Sequence, residues 1–218
     1  MHYTKQIFIA LFFVSSIGFA QQKKQYKVNT IAFYNVENLF DTENDPITYD
    51  DDRTPDGKDH WTDEIYQAKL KNMAKVISEI GADVTGTAPA IVGLCETENR
   101  KVLEDLVSQE SLLGKEYGIV QFDSPDRRGI DVALIYQKKL FTPTNYKAHE
   151  LLIYDNVDPT KRIFTRDQLV VSGMLDGEKM HFIVNHWPSR SGGEARSRQK
   201  RISAAKLNKH IMDSIFVQ

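Results

Sequence analysis

Three polar side chains stand at the ends of apolar runs. Asn35 follows Val28–Phe33, Glu96 closes Ile91-Val92-Gly93-Leu94-Cys95, and His186 closes Phe182-Ile183-Val184-Asn185. In layered α/β folds, residues at strand ends converge on one crevice. A carboxylate and an amide oxygen suit Mg²⁺, which prefers oxygen ligands and keeps several waters. An imidazole beside them can give or take a proton near neutral pH. Each residue also has a plain structural reading: Asn35 as a turn former, Glu96 as a solvated strand end, His186 as a hydrogen-bonded histidine.

The elements that must position these residues are legible from periodicity. Val28–Phe33 reads as a first strand. An irregular loop over 41–64 follows, with ten carboxylates against Arg53 and Lys58. Within it, Asp52, Thr54, Asp56, Gly57 and Asp63 only approximate a calcium loop, and a solvated loop is the favoured expectation. Thr62 is placed to cap a helix over 62–80, where Tyr66, Leu70, Met73, Ile77 and Ile80 recur at three- and four-residue steps. Pro89–Cys95 suits a strand buried on both faces, and a short helix is expected over 99–108. Strands are then expected over 118–122, 130–136, 150–154, 163–175 and 180–186. The Asp176-Gly177 pair suggests a hairpin turn between the last two. A closing helix spans 196–215. Strand–helix–strand–helix, then a run of strands and a helix, indicates an α/β protein with a mixed sheet or two stacked sheets and outer helices.

The order of four segments adds to this reading. They are Phe33-Tyr34-Asn35-Val36-Glu37-Asn38-Leu39-Phe40, Gly93-Leu94-Cys95-Glu96-Thr97-Glu98-Asn99, Ser124-Pro125-Asp126-Arg127-Arg128-Gly129-Ile130-Asp131-Val132-Ala133-Leu134, and Val184-Asn185-His186-Trp187-Pro188-Ser189-Arg190. In type and order they resemble the endonuclease/exonuclease/phosphatase superfamily, the deoxyribonuclease-I-like group. The resemblance implies a four-layer α/β sandwich and a metal-dependent phosphodiester hydrolase, most simply a nuclease. It implies Glu96 and Asn35 as metal ligands, His186 as a catalytic histidine, and Asp131 or Asp126 as its acidic partner. Asn185 becomes a candidate for substrate contact, and so do Arg127, Arg128 and Arg190, whose guanidinium fork fits phosphate oxygens. The implied cofactor is Mg²⁺, with Mn²⁺ or Ca²⁺ as alternatives, and the implied partner is a phosphoester, nucleic acid first. A phosphatase or lipid phosphodiesterase on the same scaffold, or an exported binding module without catalysis, are the competing readings.

The resemblance also implies two later motifs, a Gly-Asp-Phe/Leu-Asn-like strand end and a terminal Asp-His pair. Neither follows Arg190 in this sequence. Residues 28–218 are therefore expected to be the N-terminal portion of such a domain, weakly active or inactive alone.

The 218-residue chain carries 28 Lys and Arg against 30 Asp and Glu, a net charge of −2, which argues against a globally basic nucleic-acid-coating protein. Basic residues do concentrate locally: seven lie between Arg190 and Lys209, against Glu194 alone. Residues 1–20 join Lys5, the apolar run Ile7–Val14 and small residues Gly18 and Ala20 in the order of a secretory signal peptide, with a polar leader at 21–27. Export to the periplasm or beyond the cell is expected, with no membrane span in the mature chain and a monomer favoured. The single cysteine, Cys95, cannot form an internal disulfide and is read as a core residue rather than a nucleophile.

Overall fold

A computed structural model describes residues 26–217. The signal-peptide and most of the leader assignment lie outside the described residues. Strands β1 (Ile31–Leu39), β2 (Ile91–Thr97), β3 (Tyr117–Gln121) and β4 (Asp131–Gln137) form a four-stranded mixed sheet in the order β1-β2-β4-β3. β1 and β2 run parallel, and β4 is antiparallel to both of its neighbours. The parallel pair needs a crossover. It is supplied by α1 (Asp63–Glu79) and the short α2 (Ala82–Thr85). Thr62 caps α1 by accepting a hydrogen bond from the Ile65 amide, as the sequence predicts. Helices α3 (Arg100–Val107), capped by Asn99, and α4 (Glu110–Leu113) complete that layer.

A second sheet, β5 (Phe141–His149), β8 (Gln168–Leu175) and β9 (Glu178–Val184), is antiparallel in the order β5-β8-β9. Between β5 and β8 lies a small ladder of β6 (Ile153–Tyr154) and β7 (Arg162–Ile163). The final helix is α5 (Glu194–Phe216).

The layering follows from period-2 alternation along the central strands. Val92 and Leu94 of β2, with Ala133 and Ile135 of β4, point to the first helical layer and pack on Leu70, Ile77, Leu103 and Leu106. Ile91 and Cys95, with Val132 and Leu134, point the other way and meet Phe141, Leu169, Val171 and Val184 of the second sheet. On the far side, Ala204 of α5 packs with Leu151 and Ile153, and its carbonyl accepts from the Gln168 side chain at 2.8 Å. The result is helix, sheet, sheet, helix. At Gly93 the second sheet comes close: a Cβ there would lie 3.3 Å from Val184 Cγ1, and 3.2 Å from Phe33 Cδ2 on the neighbouring strand of its own sheet.

Several expectations are corrected. β1 starts later and runs on through Asn35 to Leu39, so Asn35 lies within the strand. The expected strand over 163–175 is broken between β7 and β8, and that over 150–154 shrinks to two residues. β5 was not expected, because Thr-Pro-Thr-Asn-Tyr-Lys lacks an apolar alternation; it is an edge strand, where proline is tolerated at an irregularity. The acidic loop is not simply solvated, since Asp41 and Asp50 are buried beside Glu98. No described helix is long and apolar enough to cross a membrane.

Cys95 is buried in the inter-sheet core, and burial, with the neighbouring Glu96 charge, pushes its thiol up to about 12. The expected result is no reaction with Ellman's reagent in the native protein at pH 8 and one equivalent after denaturation; rapid native labelling would contradict this packing.

Candidate active site

The carboxylate is aimed by a backbone irregularity. β2 would place residue 96 on the same face as Val92 and Leu94, under the helices. Instead the register with β4 slips between Cys95 and Thr97, and Glu96 takes a left-handed φ of 66°. This is a bulge with a non-glycine residue in the strained position, a cost of about 1 kcal/mol or more that the surroundings must hold. The neighbouring strand bends at the same level. Its register slips between Asn35 and Leu39, and Glu37 and Asn38 have φ of 53° and 59°.

The two bends are clamped together. The Asn38 amide donates to Glu96 Oε2 at 3.1 Å. Lys69 of α1 donates to the Glu37 and Asn38 carbonyls at 2.5 and 3.2 Å, and Trp61 Nε1 donates to the Phe40 carbonyl. Burial lowers the pKa of Lys69, with the opposing pull of Glu37 next in size.

His186 arrives from the other sheet, two residues beyond β9. Its Nε2 lies 3.3 Å from Glu96 Oε1. Burial, then the nearby Arg166 charge, lowers the imidazole pKa, against an opposing pull from Glu96. In the tautomer with its proton on Nε2, the ring donates to this carboxylate. His186 Nδ1 and Asn185 Oδ1 are buried with no partner among the described residues.

Arg166, in the loop between β7 and β8, is the residue that sequence reasoning missed. It is 7% exposed. Its Nη1 donates to Asp126 Oδ2 at 2.8 Å, and its Nη2 donates to the carbonyls of His186 and Trp187 at 2.9 and 3.2 Å. It thereby ties the loop carrying His186 to the loop before β4. Burial raises the Asp126 pKa, but hydrogen bonds from Arg166 and the Arg128 amide outweigh it and hold the carboxyl below the usual carboxylate range.

Asp131 sits opposite Thr97 across the ladder. Its oxygens accept from the Ser124 amide at 2.9 Å, the Ser124 hydroxyl and Gln121 Nε2 at 3.2 Å. Burial pushes it up to about 7, against those hydrogen bonds. So neither Asp131 nor Asp126 meets the His186 ring; the ring's carboxylate neighbour is Glu96, and Asp126 reaches only the backbone of His186 through Arg166. Asn35 stands on the strand beside Glu96, with its side-chain oxygen accepting from the Glu37 amide at 2.8 Å. Arg127 and Arg128 are exposed on the loop before β4. Arg190 is turned toward α5, lining a separate hollow with Glu194 and Arg198. Trp187 packs on the cluster formed by Leu151, Ile153 and Ala204.

Stacked sheets with outer helices, and polar strand ends gathered at one rim, define a four-layer α/β sandwich. The chain belongs to the Endonuclease/Exonuclease/phosphatase family, whose sequence pattern it matches over residues 30–218. Among solved structures it resembles a mannosyl-6-phosphatase of Bacteroides thetaiotaomicron, at 16% identity over 86% of this chain and 60% of that one, with a TM-score of 0.50. It also resembles an endonuclease/exonuclease/phosphatase protein of Bacteroides vulgatus, at 17% identity over 83% and 59% of the two chains, with a TM-score of 0.47. A humanised D. rerio TDP2 gives 15% identity over 82% and 55%, with a TM-score of 0.45. The chain thus spans less than two thirds of the length of these structures. None of the curated proteins matches it.

No group of three or more acidic, histidine or cysteine side chains with metal-binding geometry exists among the described residues. The oxygen donors near the rim are one carboxylate, Glu96, the Asn35 amide oxygen, already accepting from the Glu37 amide, and the unpartnered Asn185 amide oxygen beside His186. One carboxylate suits a hard cation such as Mg²⁺, which completes its shell with waters and substrate phosphate oxygens.

Proposed function

We propose that the protein is a divalent-metal-dependent phosphoester hydrolase acting on phosphodiesters, nucleic acid foremost, and exported to the periplasm or outside the cell. The observation that carries the catalytic reading is the 3.3 Å approach of His186 Nε2 to Glu96 Oε1, made across two different sheets at the bulge in β2. The export reading rests on the tripartite pattern of residues 1–20.

Glu96 would hold the cation, with Asn35 on the neighbouring strand and Asn185 beside His186 as amide candidates. Mg²⁺, when bound, polarises the phosphoryl group and neutralises its developing charge. His186 offers a proton or hydrogen bond to a phosphoryl or leaving oxygen. Arg166 ties the His186 backbone to Asp126 in the loop before β4, so the imidazole is positioned before substrate arrives. Water attacks phosphorus in line, the P–O bond to the leaving oxygen breaks, and the proton lost by the water passes to solvent.

The test is a side-by-side assay of single-stranded DNA, RNA, a phospholipid diester and a sugar phosphomonoester, with Mg²⁺, Mn²⁺, Ca²⁺ or EDTA. Weak metal-dependent turnover of the nucleic acids is the expected result. Turnover of the monoester alone would move the assignment to a phosphatase, and no turnover of any substrate in any metal would overturn the catalytic reading for this chain.

A further inference from the structure

Beside the acid–imidazole pair lies a cleft of about 280 Å³, bordered by Arg127, Arg128, Phe164, Arg166 and Lys200. It adjoins the catalytic rim because Arg166, in its wall, also holds the His186 and Trp187 carbonyls. Its charge is unbalanced. Four cations face one carboxylate, Asp126, which is already engaged by Arg166 and Arg128. Asp126 is shared by Arg166 and Arg128, so the cleft keeps an excess of positive charge, and Arg127 and Lys200 have no ion-pair partner among the described residues.

Two further observations separate this from an ordinary solvated basic surface. Arg166 Nε is buried and has no hydrogen-bond partner among the described residues. The rim guanidinium is also braced: Arg127 lies over the Phe164 ring at 5.7 Å, and Arg162 lies over the same ring at 4.8 Å. A guanidinium stacked on an aromatic face loses less freedom when it binds an anion. A concave wall with excess positive charge raises the local concentration of anions.

We propose that this cleft binds a second phosphate of the substrate, so that the protein selects compounds carrying several phosphates over simple phosphomonoesters. The proposal rests on the phosphoester reading of the neighbouring site. A monoester places its one phosphate at Glu96 and His186 and leaves the cleft cations unpaired. A nucleic-acid strand or a polyphosphorylated small molecule fills both positions, and Lys200 and Arg128 contact the second phosphate.

The test is equilibrium binding of the full chain in EDTA, followed by anisotropy of a fluorescein-labelled oligothymidylate, with inositol hexakisphosphate and glucose 6-phosphate as competitors. Arg128→Ala/Lys200→Ala is expected to weaken oligonucleotide or inositol hexakisphosphate binding at least about tenfold. For the single strand it should flatten the salt dependence by roughly 0.7 per lost contact. Lys71→Ala/Lys75→Ala, which removes equal charge from the exposed face of α1, is expected to stay within about twofold. Lys200→Glu, on the surface of α5, gives a second variant should the double one melt early. Whichever polyanion binds more tightly identifies the source of the phosphate. Parent-like binding by the folded cleft variants, an equal loss in the α1 variant, equal competition by the monoester, or no binding of either polyanion would each overturn the proposal. Because no turnover is measured, a chain that binds polyphosphate without hydrolysing any phosphoester would sink the catalytic assignment and leave the cleft standing.

Discussion

Glu96→Gln and His186→Ala are each expected to lower kcat/KM for the preferred phosphoester by about 10²- to 10⁴-fold, the range for loss of a positioned acid or base. Glutamine keeps the shape and an oxygen for the Asn38 amide, which donates to the wild-type carboxylate at 3.1 Å. It removes the charge that would hold a cation. Glu96→Gln should therefore weaken metal dependence as well as rate, whereas His186→Ala should leave metal affinity near the parent value. Because the two side chains touch, their losses should fall short of additive in the double variant. Melting temperatures within a few degrees of the parent would confirm that chemistry rather than folding was lost. Turnover within threefold of the parent in both variants would remove Glu96 and His186 from the mechanism.

The second large effect is on stability. Arg166→Met should cost about 3–5 kcal/mol, because it strands the buried Asp126 charge. It also frees the His186 and Trp187 carbonyls. Asp126→Asn/Arg166→Met should recover a substantial part of that loss, since no unpaired buried charge remains. Urea titration of the two single variants and the double variant measures the coupling, and strict additivity would show that the pair is not linked. The pH dependence follows from Asp126. Its folded pKa lies below the unfolded value of about 3.9, so its stabilisation is complete above that value and is lost as pH falls through the folded pKa. Parent protein should lose this increment in acid below about pH 4, and the double variant should not.

How much of this was legible in the sequence varies by element. Helix α1 was readable almost to the residue, because Thr62 caps it and five apolar side chains repeat on one face. β2 and β4 were equally plain, being buried on both faces. β5 was invisible, since an exposed edge strand carries no apolar period. Glu96 and His186 stood out as polar ends of apolar runs, and they meet. The same reasoning paired His186 with Asp131 or Asp126, and failed there because side-chain hydrogen bonds depend on loop geometry that spacing does not encode. Arg166 lay inside what looked like one continuous strand, Ile163–Leu175. Its value comes from a break in that strand, and the polar run Arg166-Asp167-Gln168 inside an apolar segment was the signal available.

Gly93 has a bearing on all of this. The acid and the imidazole belong to separate sheets, so their separation is a thickness rather than a local bond length. It is gauged where the backbone of β2 lies bare beneath Val184. At 3.3 Å the pair already sits near the outer limit of hydrogen bonding, and a methyl group at position 93 would press on Val184 Cγ1 at 3.3 Å, two residues before the imidazole. Reactivity at the rim is in that sense a readout of how tightly the sandwich closes, and selection for chemistry at residues 96 and 186 would reach back to a position that touches neither.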